Sequence, residues 1–213
     1  LNMAKVNATR MELLKLKKRV KLAKRGHKLL KDKRDELMKQ FLSLIHKNRE
    51  LREEIEEEIQ GMYTNFLAAR SLMSPHMLEE ALMISKTTLQ VDISTSLIMS
   101  VQVPKIEMIT DGETEGSILS YGFYDVPSEL DQSLDALTEL MPKLMKLAEM
   151  EKSLELLAME IEKTRRRVNA LEYVLIPELE STANFIEMKL DEMERSALTT
   201  LMSIMGKLRE REV

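Results

Sequence analysis

The side chains that could do chemistry in this chain are few and scattered. His27, His46 and His76 are its only imidazoles, spaced by 19 and 30 residues. A metal or proton site needs its ligands to converge, and along a helix those spacings hold them far apart. There is no Cys, which excludes disulfides and thiolate metal sites and fits a reducing compartment. Carboxylates are plentiful but bunched: Glu50–Glu58 carries six Glu against Arg52 alone, the pattern of a solvated helix face. No Gly-rich phosphate loop and no Ser/His/Asp or Cys/His set is present. We therefore expect no catalytic, cofactor-binding or metal-ligating residue.

The cations suggest contact chemistry instead. Residues 1–39 hold fourteen Lys/Arg and four acids, although the whole chain is formally −4. One end is basic and calls for an acidic partner. A second cationic feature is the triplet Arg165, Arg166 and Arg167. Neighbouring helical positions are about 100° apart, so the three guanidiniums fan around a helix as a collar.

The elements that must carry these groups are long helices. The 213 residues are 44% hydrophobic and 32% charged, but only 4% aromatic, where compact domains use aromatics for core volume. An apolar seam at three- and four-residue spacing runs Leu13, Leu16, Val20, Ala23, His27, Leu30, Arg34, Leu37, Phe41, Leu44, Asn48, Leu51, Ile55. Such a seam keeps one stripe facing a partner helix. It predicts a helix from Met11 to Leu72, with Thr9 and Glu12 as a capping box. His27, Arg34 and Asn48 break the seam as register-setting polar residues. Ser74-Pro75 ends the helix, and His76–Ile84 supports a short one.

Thr88–Met108 then shows strand chemistry, rich in Val, Ile, Thr and Ser. Asp111-Gly112 carries a turn signal, Ile118–Tyr124 reads as a further strand, and Pro104 demands an edge or a break. From Pro127 the helical seam returns and runs through Leu157, Ile161, Val168, Leu171 and Leu179 to Met193, Leu201, Ile204 and Leu208, with Pro142 and Pro177 as expected bends. The expected fold is all-α dominated: a long antiparallel two-helix coiled coil of residues 1–72 and 128–213, with an inserted head, 73–127, holding a short helix and a β-hairpin. Facing residue numbers should add to about 200, which puts Gly26 against the Pro177 region, His27 near Tyr173, and Arg34 beside the collar with Glu160, Glu162 or Glu172 intervening. No apolar run reaches the ~18 residues of a membrane span, and no signal peptide is recognised.

Two segments resemble a known family. Arg10-Met-Glu-Leu-Leu-Lys-Leu-Lys, with the run Arg25–Leu37, is similar to the N-terminal signature of the D subunit of vacuolar/archaeal-type rotary ATPases. Glu162–Pro177, continued by Glu178-Leu-Glu, is similar to its C-terminal signature. Ala8 departs from the family, which often has Pro there, and the head carries no matching signature. The resemblance implies a non-catalytic central-stalk shaft without a cofactor, peripheral at the cytoplasmic face of a membrane. Its paired termini would stand inside the hexamer of catalytic A and nucleotide-binding B subunits. It would also bind the small F subunit and a membrane-rotor adaptor. Lys17, Lys21, Lys24, Arg25, Lys28, Arg165, Arg166 and Arg167 are then the expected hexamer contacts. Ile59, Met62 and Leu140 are the expected contacts of the small subunit.

Two other readings compete. A prefoldin-like chaperone also places a β-hairpin between coiled-coil helices, but needs shorter ones. A nucleic-acid-binding coiled coil would use the basic segment, yet no aromatic interleaving or readout motif accompanies it.

Overall fold

A computed structural model describes residues 7–83, 88–111 and 126–211. Helix α1 spans Arg10–Leu72 and α2 spans Pro75–Met83. Strands β1 (Thr88–Ile98) and β2 (Val101–Asp111) follow, and then α3 (Ser128–Ala170). A five-residue π-helical turn, Leu171–Leu175, leads directly into α4 (Ile176–Arg211). The all-α dominated class, the two long helical arms and the inserted short helix with a hairpin are as the sequence predicts.

Local chemistry explains the boundaries. The Thr9 hydroxyl accepts the Glu12 N–H at 3.3 Å and caps α1. Pro75 cannot extend α1, but its fixed φ suits the first position of α2. The Ser74 hydroxyl caps that helix by accepting the Met77 N–H at 3.4 Å. Glu129 and Asp131 place negative charge in the first turn of α3.

The chain divides into two compact units. The first joins residues up to Glu36 with Glu162 onward. Its core packs Leu16 of α1 on Leu179, Ala183 and Ile186 of α4, edged by Leu13, Val20, Ala23 and Leu190. Lys17 meets Glu187 and Lys24 meets Glu180, so the arms run antiparallel and facing numbers add to about 200, as expected. One local expectation changes. A Cβ at Gly26 would meet nothing within 4 Å, so no bent helix approaches that glycine closely. Arg34 donates to its neighbour Asp35 through two bonds of 3.0 and 2.7 Å, while Glu162 pairs with Arg166 and Glu172 lies against His27. Pro177 is accommodated by the π-helical turn just before it, where the Ile176 N–H reaches back to the Leu171 carbonyl. A π-turn changes which carbonyls the proline ring must avoid.

The second unit spans Leu37–Ile161. Fully buried Leu37 packs with Leu157 and Ile161 beneath the hairpin residues Val101 and Val103. Towards α2, Ala69, Met73, Ala81 and Leu130 form another cluster with Phe66, Met77, Leu78, Val126 and Leu134. Each buried Leu contributes about 1.5–3 kcal/mol. Asn48 is buried in the seam, as a register-setting residue should be.

The hairpin turns inside the stretch Thr88–Met108 that reads as continuous strand. β1 and β2 pair antiparallel from Ile98↔Val101 to Thr88↔Asp111. The loop is therefore Met99-Ser100, with φ of 47° and 74°. Asp111 is the last residue of β2, so the expected Asp111-Gly112 turn runs into residues outside those described. Both loop residues having positive φ suits a two-residue hairpin, whose backbone twist matches that of its strands. The tight pairing of a long apolar run outweighs the missing Gly. Pro104 lies opposite Thr95, three residues from the hydrogen-bonded closing pair. By the alternation of an antiparallel ladder its N position points away from β1, where no donor is needed. The expected strand Ile118–Tyr124 lies outside the described residues.

Candidate functional site

The expected hexamer-contact cations fall into two groups. Lys17 and Lys24 are engaged across the seam, with Glu187 at 2.9 Å and Glu180 at 2.6 Å. These pairs sit at the seam's edge and tie α1 to α4. In the collar, Arg166 pairs with Glu162 one turn earlier. Lys21, Arg25, Lys28, Arg165 and Arg167 are exposed and make no ion pair with another described residue. Val168 between them and the next turn is buried, so the guanidiniums face outward while the seam stays apolar. His27 lies 3.3 Å from the Glu172 carboxylate in the π-turn, one residue from the expected Tyr173. The ring joins α1 to the π-helical turn. Among the described residues no group of three or more His, Asp or Glu could hold a metal ion.

The apolar face of α4 outruns its partner. Leu190 is half-buried, but every residue from Asp191 to Lys207 is exposed. Leu198, Leu201, Met202, Ile204 and Met205 form an uncovered apolar surface, Met202 being 72% exposed. By spacing alone Met193, Leu201 and Ile204 are seam residues. The periodicity is real, but α1 begins at Arg10, which pairs with Glu194, so the antiparallel register offers nothing in α1 opposite Leu201 and Ile204.

The three expected small-subunit contacts separate. Ile59 and Met62 are half-buried on α1 and remain reachable. Leu140 is 1% exposed, so it belongs to the core of the second unit and not to its surface. Beside it, the Lys143 ammonium donates to the Glu54 carboxylate at 2.7 Å and to that of Glu58. Those two bonds push the Lys143 pKa up to about 12. Arg52 approaches Glu151 at 3.9 Å, so the acidic Glu50–Glu58 run is partly neutralised by α3. The hairpin is fastened to α3 by the Ile106 N–H, which donates to Glu149 Oε2 at 3.0 Å.

Spacing in the sequence gives no sign of an open hollow beside Met62. It is lined by Met62, Tyr63, Phe66, Leu82, Ser133, Leu134 and Leu137. Helical periodicity counts Leu134 and Leu137 as seam, and only the third helix, α2, turns this stretch of seam into a groove. No described helix is long and apolar enough to cross a membrane.

Comparison with known proteins agrees with this architecture. The family model described as that of the ATP synthase D subunit matches residues 12–206. The V-type ATP synthase D subunit of Acetivibrio thermocellus is 54% identical over 200 residues, covering 94% of this chain and 90% of the relative. The protein of that name from Clostridium botulinum (Type A) is 52% identical over 208 residues, covering 97% and 96%. One from Thermoanaerobacter sp. is 53% identical over 204 residues, covering 96% and 97%. Paired long helices, an inserted hairpin and a match along nearly the whole length lead to one assignment: the chain belongs to the ATP synthase D subunit family.

Proposed function

We propose that this chain is the central-stalk shaft of a V/A-type rotary ATPase. It is a non-catalytic subunit that transmits torque between the A/B hexamer and an ion-transporting membrane rotor. In this reading it is peripheral at the cytoplasmic face of the membrane, and its other partners are the small F subunit and a membrane-rotor adaptor. The observation that carries the reading is the uncovered end of α4. A helix whose apolar face continues past its intramolecular partner has a surface suited to an apolar sleeve. Lys21, Arg25, Lys28, Arg165 and Arg167 supply a looser ionic contact below it, and exposed ionic contacts are cheap to break and remake at each step. The apolar core of Leu16, Leu179, Ala183 and Ile186 opposes slipping of the arms under load, and the exposed pairs Lys17–Glu187 and Lys24–Glu180 at its edge add little.

The test is reconstitution with purified A and B subunits. Leu198→Glu/Leu201→Glu/Ile204→Glu should keep wild-type helicity and lose most hexamer binding and rotation-coupled ATP turnover. Normal assembly and turnover by a helical triple variant would refute the shaft reading.

A further inference from the structure

The hollow of the second unit has a chemistry of its own. Its volume is about 230 Å³, and an apolar cavity of about 150 Å³ already accepts benzene. There is room here for an aromatic ring with aliphatic neighbours. Its one polar lining group besides the Tyr63 hydroxyl is already engaged, since the Ser133 hydroxyl donates to the Leu130 carbonyl at 2.8 Å. Tyr63 at its mouth is 57% exposed, and Leu67, Leu82, Met83 and Leu137 also face outward. The elements around it are acidic. The α2 helix and the Ser128–Leu140 stretch of α3 hold Glu79, Glu80, Glu129, Asp131, Asp135 and Glu139 and no Lys or Arg. On α1, Arg70 is the only cation beyond Arg52.

We propose that this groove receives an amphipathic helix of a partner subunit, with apolar side chains in the hollow and Lys or Arg along its flanks. The walls are helices, and a furrow between packed helices takes the side-chain ridge of a third one. The acidic surroundings repel phosphate-bearing surfaces and attract cationic flanks. The proposal deepens the small-subunit contact at Ile59 and Met62 and rests on it for the partner's identity.

The experiment uses the full chain and two probes: the purified small stalk subunit, and an amphipathic Leu/Lys peptide of about five helical turns. A scrambled peptide of equal composition is the control. Wild-type protein should bind both probes and ignore the scrambled one. Tyr63→Ala/Leu137→Glu should weaken both interactions at least about tenfold. Glu79→Lys/Asp135→Lys should weaken both severalfold at low salt and less at high salt. Should the first pair lose helicity, the second, at two polar positions outside the core clusters, decides. Failure of the amphipathic peptide to bind, equal binding of the scrambled one, or peptide affinity unmoved by either pair would overturn the groove. A small subunit that ignores wild-type protein while the peptide binds and responds would instead remove the stalk contact and leave the groove standing.

Discussion

At the scale of single residues, what matters is which charges are already engaged. Arg166 is held by Glu162, whereas Arg165 and Arg167 make no ion pair among the described residues. Exposed ionic contacts are each worth about 0.2–1 kcal/mol. Arg165→Ala/Arg167→Ala should therefore weaken binding to the A/B hexamer about three- to tenfold at low salt, and less at moderate salt. Arg166→Ala alone should do little, and equal loss from all three singles in a binding titration would contradict the geometry. Lys143 makes a different prediction. Its folded pKa, raised from 10.5 to about 12 by the hydrogen bonds it donates to Glu54 and Glu58, lies above the unfolded one. The stabilisation is thus complete below pH 10.5 and disappears as pH rises towards about 12. Urea midpoints between neutral pH and about 12 should show wild type losing its advantage over Lys143→Met in that alkaline window. A loss confined to neutral pH would assign the effect to another group.

At the scale of elements, the hairpin and the two cores behave differently. Met99 and Ser100 both occupy positive φ, which costs roughly 1–2 kcal/mol per non-Gly residue. Met99→Asn/Ser100→Gly keeps the loop length and supplies the residues that this geometry favours. It should slow hydrogen exchange of the β1 and β2 amides without changing the helices, and faster exchange would show that the turn is of another type. Ile186 is wholly buried against Leu16, Leu179 and Ala183. Ile186→Ala should cost about 2–5 kcal/mol in denaturant unfolding, whereas Leu198→Ala, on the uncovered part of α4, should cost under about 1 kcal/mol. Comparable losses at both positions would mean that α4 is covered along its whole length.

At the scale of the whole molecule, charge is segregated along the sequence. The N-terminal third is basic, and the elements around the groove are acidic. In the proposed shaft, that division suits unlike partners at unlike places. The antiparallel pairing is testable in the intact chain. Lys24 and Glu180 meet at 2.6 Å, so Lys24→Cys/Glu180→Cys should be joined within one chain by a short bis-maleimide. Dimers as the main product on a denaturing gel would replace the intramolecular pairing with an intermolecular one.

Much of this is written in the linear pattern, and the exceptions share one cause. Apolar spacing, the Thr9 cap and Pro75 suffice to place the ends of α1 and α2 closely, because helix formation is local. Antiparallel pairing near a sum of about 200 follows from two seams in one chain. Residue spacing cannot say where a seam ceases to have a partner, so Leu201 and Ile204 read like Leu179 although only the last is buried. Nor can it separate Leu140, sealed in the core, from Met62 beside an open hollow. The hairpin turn falls at Met99-Ser100, inside a stretch with no Gly or Asn to mark it, because the register is set by pairing of the two whole strands. Periodicity fixes which side of a helix is apolar. What lies against that side depends on residues far away in the chain, and only the tertiary structure decides it.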